Sequence, residues 1–291
     1  MSNYIASPIN DEIDPAMQMT LSKIMELDLI KDALNSGGWI AGGFVRNVLL
    51  GANLADYLHW HRAPRDAFER PKSQGDIDIF FPSEQIANDV INRHQQMTGK
   101  CLELSVGKFA MESNGHLQGL GAVKIQLVNH KDHCAGSIDD CLDRFDFKNC
   151  KVALNKTHFF YPEGWRELEA TRMLKIDSTH SPFLGSRIVK YLNHRDMIGL
   201  TPDSAELMTT WLCRAATETF PGYSDTHLQG IKSAIMGIAD KGFLAKEDLI
   251  LFLGKWKKVM TEHVYGQHFT IEVDWALHKI EELDVKEPEA A

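Results

Sequence analysis

The sequence predicts an α/β (α+β) protein in which a small mixed-sheet domain is followed by an all-helical domain. The stretch GDIDIFF (75–81) alternates acidic and apolar residues with period 2, which is typical of a strand. The stretch WIAGGFVRNVLLG (39–51) has the composition of a short strand, a Gly-Gly turn and a short helix. After Pro162, apolar residues recur at helical spacing. Strands therefore alternate with helices in the first part of the chain, and helices dominate the second.

Chain length supports two domains, because 291 residues exceed the usual size of one domain of roughly 100 to 200 residues. We predict an N-terminal helical segment over 1–36, the mixed-sheet domain over 37–162 and the helical domain over 163–291.

Composition excludes several classes of protein. Hydrophobic residues at 44% and charged residues at 24% suit a globular chain with a buried core. The formal net charge of −9 argues against a protein that mainly coats a polyanion, although it leaves room for a local basic groove. Five cysteines without regular spacing favour reduced thiols. No apolar run approaches the roughly 20 residues of a membrane span, so we expect a cytoplasmic protein without a membrane partner.

The elements before and after the glycine turn follow from local patterns. Apolar residues at helical spacing predict a helix over 15–35, which the glycines at 37 and 38 end. The polar segment 52–74 contains two prolines and is interpreted as a long loop or insertion. Ser83 is the expected cap of an amphipathic helix that follows the GDIDIFF strand.

Further strands are expected in the second half of the sheet domain. The segments 101–113 and 117–129 are predicted as two strands around a turn at Asn114-Gly115, a dipeptide suited to hairpins. A short helix is expected over 137–144, and 145–155 (FDFKNCKVALN) is predicted as another strand.

The two acidic residues of GDIDIFF carry the main functional signal. In a strand, Asp76 and Asp78 project to the same side, while Ile77 and Ile79 face a core. Adjacent carboxylates favour a shared cation, and Mg²⁺ commonly binds through carboxylates together with substrate phosphates. Such a pair can hold two metal ions for an in-line phosphoryl displacement. The alternative is a solvated strand face with no ligand.

A third carboxylate would complete such a site, and Asp146 is the candidate. Phe145 and Phe147 flank it and would point into the core, so Asp146 would occupy the opposite face, as the acids of GDIDIFF do. Asp143 is the competitor, in a preceding helical or turn segment.

The glycine turn could bind the phosphate groups of a ligand at the same site. Gly42 and Gly43 would let a triphosphate approach the free N–H groups at the start of a helix. Arg46 lies in the first turn after the glycines, where it could reach a phosphate oxygen or fasten the turn to an acidic residue.

Together, AGGFVRNVLLG and GDIDIFF resemble the nucleotidyltransferase superfamily of DNA polymerase beta. Within it they are most similar to the head domain of class II tRNA nucleotidyltransferases and bacterial poly(A) polymerases, over about 39–154. The resemblance implies that Gly42 and Gly43 hold the triphosphate and that Asp76 and Asp78 ligate Mg²⁺. Arg46 matches the family arginine, and Asp146 matches through its strand context and the Phe-Asp-Phe pattern.

The chain departs from the family pattern in three ways. Asn47 stands where the family has an acidic residue, the segment between the two motifs is longer, and the later nucleotide-selecting motif is not found. The resemblance therefore does not carry over a base preference.

The helical part offers a second set of candidates. Arg187, Lys190, Tyr191 and His194 fall on one face of a predicted helix. Head domains of this superfamily are commonly followed by a helical module that completes the nucleotide pocket, so the resemblance places Arg187 and Lys190 at the triphosphate. A solvated basic face is the alternative.

The sequence thus predicts an enzyme that uses an NTP and two Mg²⁺ ions to transfer a nucleoside monophosphate to an acceptor hydroxyl. A tRNA-like RNA 3′ end is the first choice of acceptor, and a protein or small molecule is the alternative. A different class is also open, namely an inactive interaction protein with the same fold. The sequence indicates no oligomeric state.

Overall fold

The computed structural model describes residues 3–58, 75–99, 101–104, 110–117 and 121–178, together with 191, 197, 199–204 and 207. The chain divides into two compact units. The first unit is Met1–Phe145 with Cys150–Glu163, and the second is Asp146–Asn149 with Gly164–Ala291.

An eight-stranded mixed sheet forms the centre of the first unit and confirms the predicted α/β fold class. Its strand order is β1-β8-β7-β2-β3-β6-β5-β4. The pair β3–β6 is parallel, and the other neighbouring pairs are antiparallel. The strands are β1 (Tyr4–Pro8), β2 (Trp39–Ala41), β3 (Asp76–Phe80), β4 (Glu103–Leu104), β5 (Ala110–Leu117), β6 (Gly121–Val128), β7 (Ala153–Leu154) and β8 (His158–Pro162).

Helices over 43–49, 84–98 and 138–143 lie where the sequence predicted them, and a helix over 54–58 lies in the segment interpreted as a loop or insertion. Ser83 caps the longest of them as expected, because its Oγ accepts a hydrogen bond from the backbone N–H of Ile86 at 3.3 Å. None of the described helices is long and apolar enough to cross a membrane. They are α1 (Ile9–Glu12), α2 (Pro15–Met25), α3 (Asp28–Asn35), α4 (Gly43–Leu49), α5 (Leu54–Leu58), α6 (Glu84–Thr98) and α7 (Ile138–Asp143).

The helix predicted over 15–35 is wrong as a single element, because it is broken between α2 and α3. Glu26 ends α2, and Leu27 takes an extended backbone with φ −57° and ψ 127°. Each helix then buries its own apolar residues, such as Ile24 in α2 and Ile30 in α3. The break lets both apolar stripes reach the core, which one straight helix would not do.

The turn predicted at Asn114-Gly115 is also wrong. Both residues lie inside β5, where Asn114 is in register with Lys124 and Gly115 with Val123 of β6. The eight-residue ladder between the two strands outweighs the local turn preference of this dipeptide. The connection at 118–120 lies outside the described residues.

Alternation along β3 and β6 separates a dry face of the sheet from a polar one. Ile77, Ile79, Ile125 and Leu127 are buried. The residues between them are half-buried on the opposite face. The period-2 pattern read from GDIDIFF therefore describes the actual orientation of the strand.

The second unit contains structure that the apolar spacing did not predict. Met173–Leu174 (β9) and Gly199–Leu200 (β10) pair in parallel, at positions where the sequence predicted helix. Helix α8 (Trp165–Thr171) precedes them as expected. The other predicted helices of the C-terminal part lie largely outside the described residues.

The strand predicted over 145–155 is reduced to the two residues of β7. Lys148–Cys150 forms a 3₁₀ helix, and Phe147 makes an isolated antiparallel bridge with Ile176. The reason is the buried Asn149, whose Oδ1 accepts a hydrogen bond from the Lys175 N–H at 2.8 Å. Its Nδ2 donates to Glu169 Oε1 at 3.0 Å and to the Met173 carbonyl at 3.2 Å. A side chain here provides hydrogen bonds that a continuous ladder would otherwise supply.

Candidate active site

The turn between β2 and α4 requires glycine at its first position. Gly42 has φ 85° and ψ −140°, a region that residues with a side chain rarely adopt. A Cβ atom added there would lie 3.1 Å from Cε1 of Phe145. The Gly42 N–H donates to the Val152 carbonyl at 2.9 Å, and its own carbonyl accepts from the Arg46 N–H at 3.0 Å. The turn is therefore fixed on both sides.

The predicted carboxylates lie beside this turn. In the antiparallel pair of β2 and β3, Ala41 is in register with Asp78. The chain passes from Ala41 directly into Gly42, so the turn lies at the end of the sheet where β3 begins with Asp76. Both acidic side chains are half-buried on the polar face. The backbone register thus places Asp76 and Asp78 next to the turn at Gly42, and their role in a metal or nucleotide site stays a prediction.

Two residues of α4, Arg46 and Asn47, form hydrogen bonds to the carbonyl groups of the two glycines. Arg46 is buried, with 5% of its surface exposed. Asn47 stands where the nucleotidyltransferases that the sequence resembles have an acidic residue. Its Nδ2 donates a hydrogen bond to the Gly43 carbonyl at 2.6 Å. Asn47 therefore fastens the glycine turn through a neutral hydrogen bond.

Tyr57 of α5 contacts the beginning of the carboxylate strand. Its hydroxyl donates to the Asp76 carbonyl at 3.3 Å, and its own carbonyl accepts from the Gly75 N–H at 2.9 Å. A Cβ atom at Gly75 would lie 2.4 Å from the ring of Tyr57. Glycine is needed here because the aromatic ring occupies that space.

Three residues of the polar face were missed by the sequence reasoning. Across the parallel pair β3–β6, Lys124 is in register with Asp76 and Gln126 with Asp78. Glu112 on β5 accepts from Lys124 Nζ at 2.9 Å and from Gln126 Nε2 at 2.8 Å, both at Oε1. The alternation in AVKIQLV was a signal that the two polar residues share a face. The register that places them beside the aspartates was not readable from the sequence.

An apolar cluster covers the next part of the same sheet face. The ring of Phe80 packs against Phe145 with centroids 5.6 Å apart. Phe80 and Phe145 pack against buried residues of β2 and α7, among them Trp39 and Cys141. Burial raises the pKa of the Cys141 thiol to about 12. The polar part of the face therefore ends at Asp78, and a dry part begins at Phe80.

Asp146, the third predicted carboxylate, belongs to the second unit. It is buried, and its backbone carbonyl accepts from the N–H groups of Asp177 at 2.7 Å and Ser178 at 3.2 Å. It lies outside any regular strand, contrary to prediction. Arg187 and Lys190 lie outside the described residues.

The polar face carries two carboxylates that could ligate a divalent metal ion. Asp76 and Asp78 offer the hard oxygen ligands that Mg²⁺ prefers, on a face that is only half-buried. Among the described residues, no group of three or more His, Cys, Asp or Glu side chains is placed to hold a metal ion. The face thus fits a metal ion that takes part of its coordination from substrate phosphates or water.

A model of the Gabija anti-defense 2 family matches residues 13–170, which is more than half of the chain. The chain belongs to this family. The matched region contains both the glycine turn and the carboxylate strand. No curated protein matches the chain at a significant level.

Several solved structures are similar to this member of the Gabija anti-defense 2 family at low identity. A CCA-adding enzyme in complex with CTP has 16% identity and a TM-score of 0.44, covering 98% of this chain and 56% of its own. A tRNA nucleotidyltransferase with a primer tRNA and an incoming ATP analogue has 14% identity and a TM-score of 0.43, covering 90% and 84%. A Thermotoga maritima CCA-adding enzyme with tRNA has 15% identity and a TM-score of 0.38, covering 94% and 73%. The chain spans little more than half of the first CCA-adding enzyme.

Proposed function

We propose that this member of the Gabija anti-defense 2 family is a metal-dependent nucleotidyltransferase. It would move a nucleoside monophosphate from an NTP to an acceptor hydroxyl. One observation supports this most strongly: Asp76 and Asp78 share the polar face of β3 beside the glycine turn at Gly42. A triphosphate could bind there to the backbone N–H groups of the turn and, through a metal ion, to the two carboxylates.

The roles of the residues follow from their chemistry. Asp76 and Asp78 would hold Mg²⁺, which when bound neutralises the charge of the triphosphate. Gly42 and Gly43 allow the phosphates to approach the backbone closely. The two-ion arrangement, with Asp146 as the third carboxylate, stays a prediction, as do the nucleotide contacts of Arg46, Arg187 and Lys190.

The transfer itself is an in-line displacement. The acceptor oxygen forms a bond to the α-phosphorus, the bond from the α-phosphorus to its bridging oxygen breaks, and pyrophosphate leaves with that oxygen. The proton of the acceptor hydroxyl passes to a carboxylate, for which Asp146 is the sequence-based choice. Catalysis of this kind rests on positioning and on charge neutralisation.

The acceptor that we propose first is an RNA 3′ end, with a protein or small-molecule hydroxyl as the alternative. Because the family is one of Gabija anti-defense proteins, we propose that the transfer counteracts the Gabija defence. The net charge of −9 requires that any RNA contact be local, because the chain as a whole repels a polyanion.

Labelled nucleotides test the proposal directly. Purified protein is incubated with Mg²⁺, each α-³²P-labelled NTP and extract from cells with or without Gabija. We expect label in one macromolecular fraction, lost on nuclease or protease treatment according to the acceptor. Wild-type protein that transfers no label in any extract, or an Asp76→Asn variant that transfers as much as wild type, would contradict the assignment.

One observation favours a second candidate, an interaction protein of this fold without chemistry. The partner of Asp78 on β6 is Gln126 rather than an acid, which leaves the described face with fewer metal ligands than a two-ion site needs. A double Asp76→Asn, Asp78→Asn variant separates the candidates. It keeps full anti-Gabija activity if the protein acts by binding alone.

A further inference from the structure

We propose that Lys124 contacts the phosphates of the bound nucleotide and that Glu112 is the positioning residue that holds it there. This inference rests on the proposed nucleotidyltransferase function and assigns two further residues to the same site. It begins from the register of β3 with β6. Lys124 is directly across from Asp76, so its Cα is one strand spacing, about 4.8 Å, from that of the aspartate.

Glu112 holds both Lys124 and Gln126 on the polar face. Glu112 Oε1 accepts from Lys124 Nζ at 2.9 Å and from Gln126 Nε2 at 2.8 Å. The Lys124 and Glu112 side chains are 29% and 24% exposed. A pair this shielded from solvent loses less of its attraction to screening than an exposed pair does. Glu112 is on β5, on the other side of β6 from β3, so the pair fixes the ammonium group on the polar face, one strand away from the carboxylates.

The charge of this face explains why a cation is useful there. Asp76, Asp78 and Glu112 contribute three negative charges, and Lys124 contributes one positive charge. A triphosphate that approached the carboxylates would be repelled unless positive charge were present. A metal ion on the aspartates supplies part of it, and Lys124 supplies a permanent part. A lysine acts on phosphate as a mobile point charge and can leave one acceptor for another.

A purely structural role for Lys124 would have different consequences. If Lys124 only neutralised Glu112, its removal would lower stability and leave nucleotide affinity unchanged. If it contacts phosphate, its removal weakens nucleotide binding. In both cases its removal strengthens the binding of a bare divalent cation to the aspartates, because a repelling charge is lost.

The test uses the full chain and two binding measurements. Mn²⁺ affinity without nucleotide is followed by electron paramagnetic resonance, and the affinity for a fluorescent ATP analogue with Mg²⁺ is followed by anisotropy. For Lys124→Met we expect Mn²⁺ to bind more tightly and nucleotide to bind about tenfold more weakly, the loss of one charge-assisted hydrogen bond. Lys124→Arg restores most of the nucleotide affinity. Glu112→Gln keeps the shape of the side chain but weakens its hold on Lys124, so nucleotide should bind about threefold more weakly than to wild type. When Lys124 is already methionine, adding Glu112→Gln should cause no further loss of nucleotide affinity.

The outcomes separate this inference from the proposed function. If wild type binds nucleotide in an Asp76-dependent manner and Lys124→Met binds it equally well, Lys124 has no phosphate role and the proposed function stands. If wild type binds no nucleotide, both fail together. Melting temperatures of all variants show whether a loss of binding reflects unfolding.

Discussion

The backbone N–H of Gly42 donates a hydrogen bond to the carbonyl oxygen of Val152 at a distance of 2.9 Å. Val152 is fully buried two residues after the 3₁₀ helix Lys148–Cys150. The glycine turn is thereby connected to the residue that precedes β7, which lies over a hundred residues away in sequence. Its shape is set by hydrogen bonds within the fold, which would preorganise the turn for the phosphoryl transfer that we propose.

Substitution of this glycine should be costly. For Gly42→Ala we expect a loss of about 2 to 4 kcal/mol in the free energy of unfolding, from the positive φ of 85° and the contact with Phe145. Gly51→Ala is the matched control, because Gly51 also has a positive φ of 67° but has open space around it. It should lose about 1 kcal/mol. Urea unfolding measures both, and equal losses would show that the Phe145 contact contributes nothing.

Substitution of Asp76 or Asp78 should weaken the binding of Mg²⁺ and NTP and leave the fold intact. With Mg²⁺ and a saturating NTP, wild type should gain about 2.7 kcal/mol of stability at a hundredfold excess over Kd. Asp76→Asn and Asp78→Asn should each abolish this gain and lower transfer on the order of a hundredfold or more. The exposed Asp11→Asn is the control and should retain both. Thermal unfolding measures the gain in stability. If Mg²⁺ and NTP still raise the melting temperature of the two site variants, the metal binds elsewhere.

The buried thiol of Cys141 predicts a pH dependence. Burial raises its pKa from the ordinary 9.0 to about 12. The unfolded chain therefore loses this proton at lower pH than the folded protein does. The contribution to stability is complete below pH 9 and is lost as the pH rises from about 9 to about 12. In Cys141→Ala, the slope of the unfolding free energy against pH should be shallower above pH 9.

Chemical labelling gives an independent check on the same thiol. At pH 8, iodoacetamide should alkylate the exposed Cys101 of the native protein well before Cys141, as read by mass spectrometry. Equal rates for the two cysteines in folded protein would contradict the burial of Cys141.

Among the described residues of the second unit, Asn149 should be a sensitive polar position. Asn149→Ala removes hydrogen bonds to Glu169, Met173 and Lys175, and it leaves the buried carboxyl of Glu169 without this donor. We expect a loss of about 2 to 4 kcal/mol. The exposed Asn35→Ala, at the end of α3, should change stability by less than about 0.5 kcal/mol.

Hydrogen exchange makes this prediction local. The Lys175 N–H donates to Asn149 Oδ1 at 2.8 Å, so its exchange should accelerate in Asn149→Ala and stay unchanged in Asn35→Ala. Unchanged protection at Lys175 would show that another acceptor replaces the side chain.

The parts of the fold that the sequence predicted are those decided by neighbouring residues. The alternation of Asp76 and Asp78 with isoleucines states directly which side of β3 is dry, and the glycines before Phe44 mark the start of α4. Asn114-Gly115 misled because its turn preference is small beside the pairing of β5 with β6. FDFKNC misled because Asn149 satisfies backbone groups with its side chain. Glu112 and Lys124 could not be found, because their proximity to Asp76 depends on strand order and register across three strands.

The contact between Tyr57 and Gly75 has a consequence for how this family can diversify. A hydrogen bond of 2.9 Å joins the Gly75 N–H to the Tyr57 carbonyl, and the Tyr57 hydroxyl reaches the next residue at 3.3 Å. The two chain ends that flank 59–74 are therefore fastened to each other at the base. Closure of a longer or shorter segment on such a base costs little, since the entropy changes only slowly with loop length. We expect related chains to tolerate different segment lengths at this junction without a change in the strand that carries the aspartates.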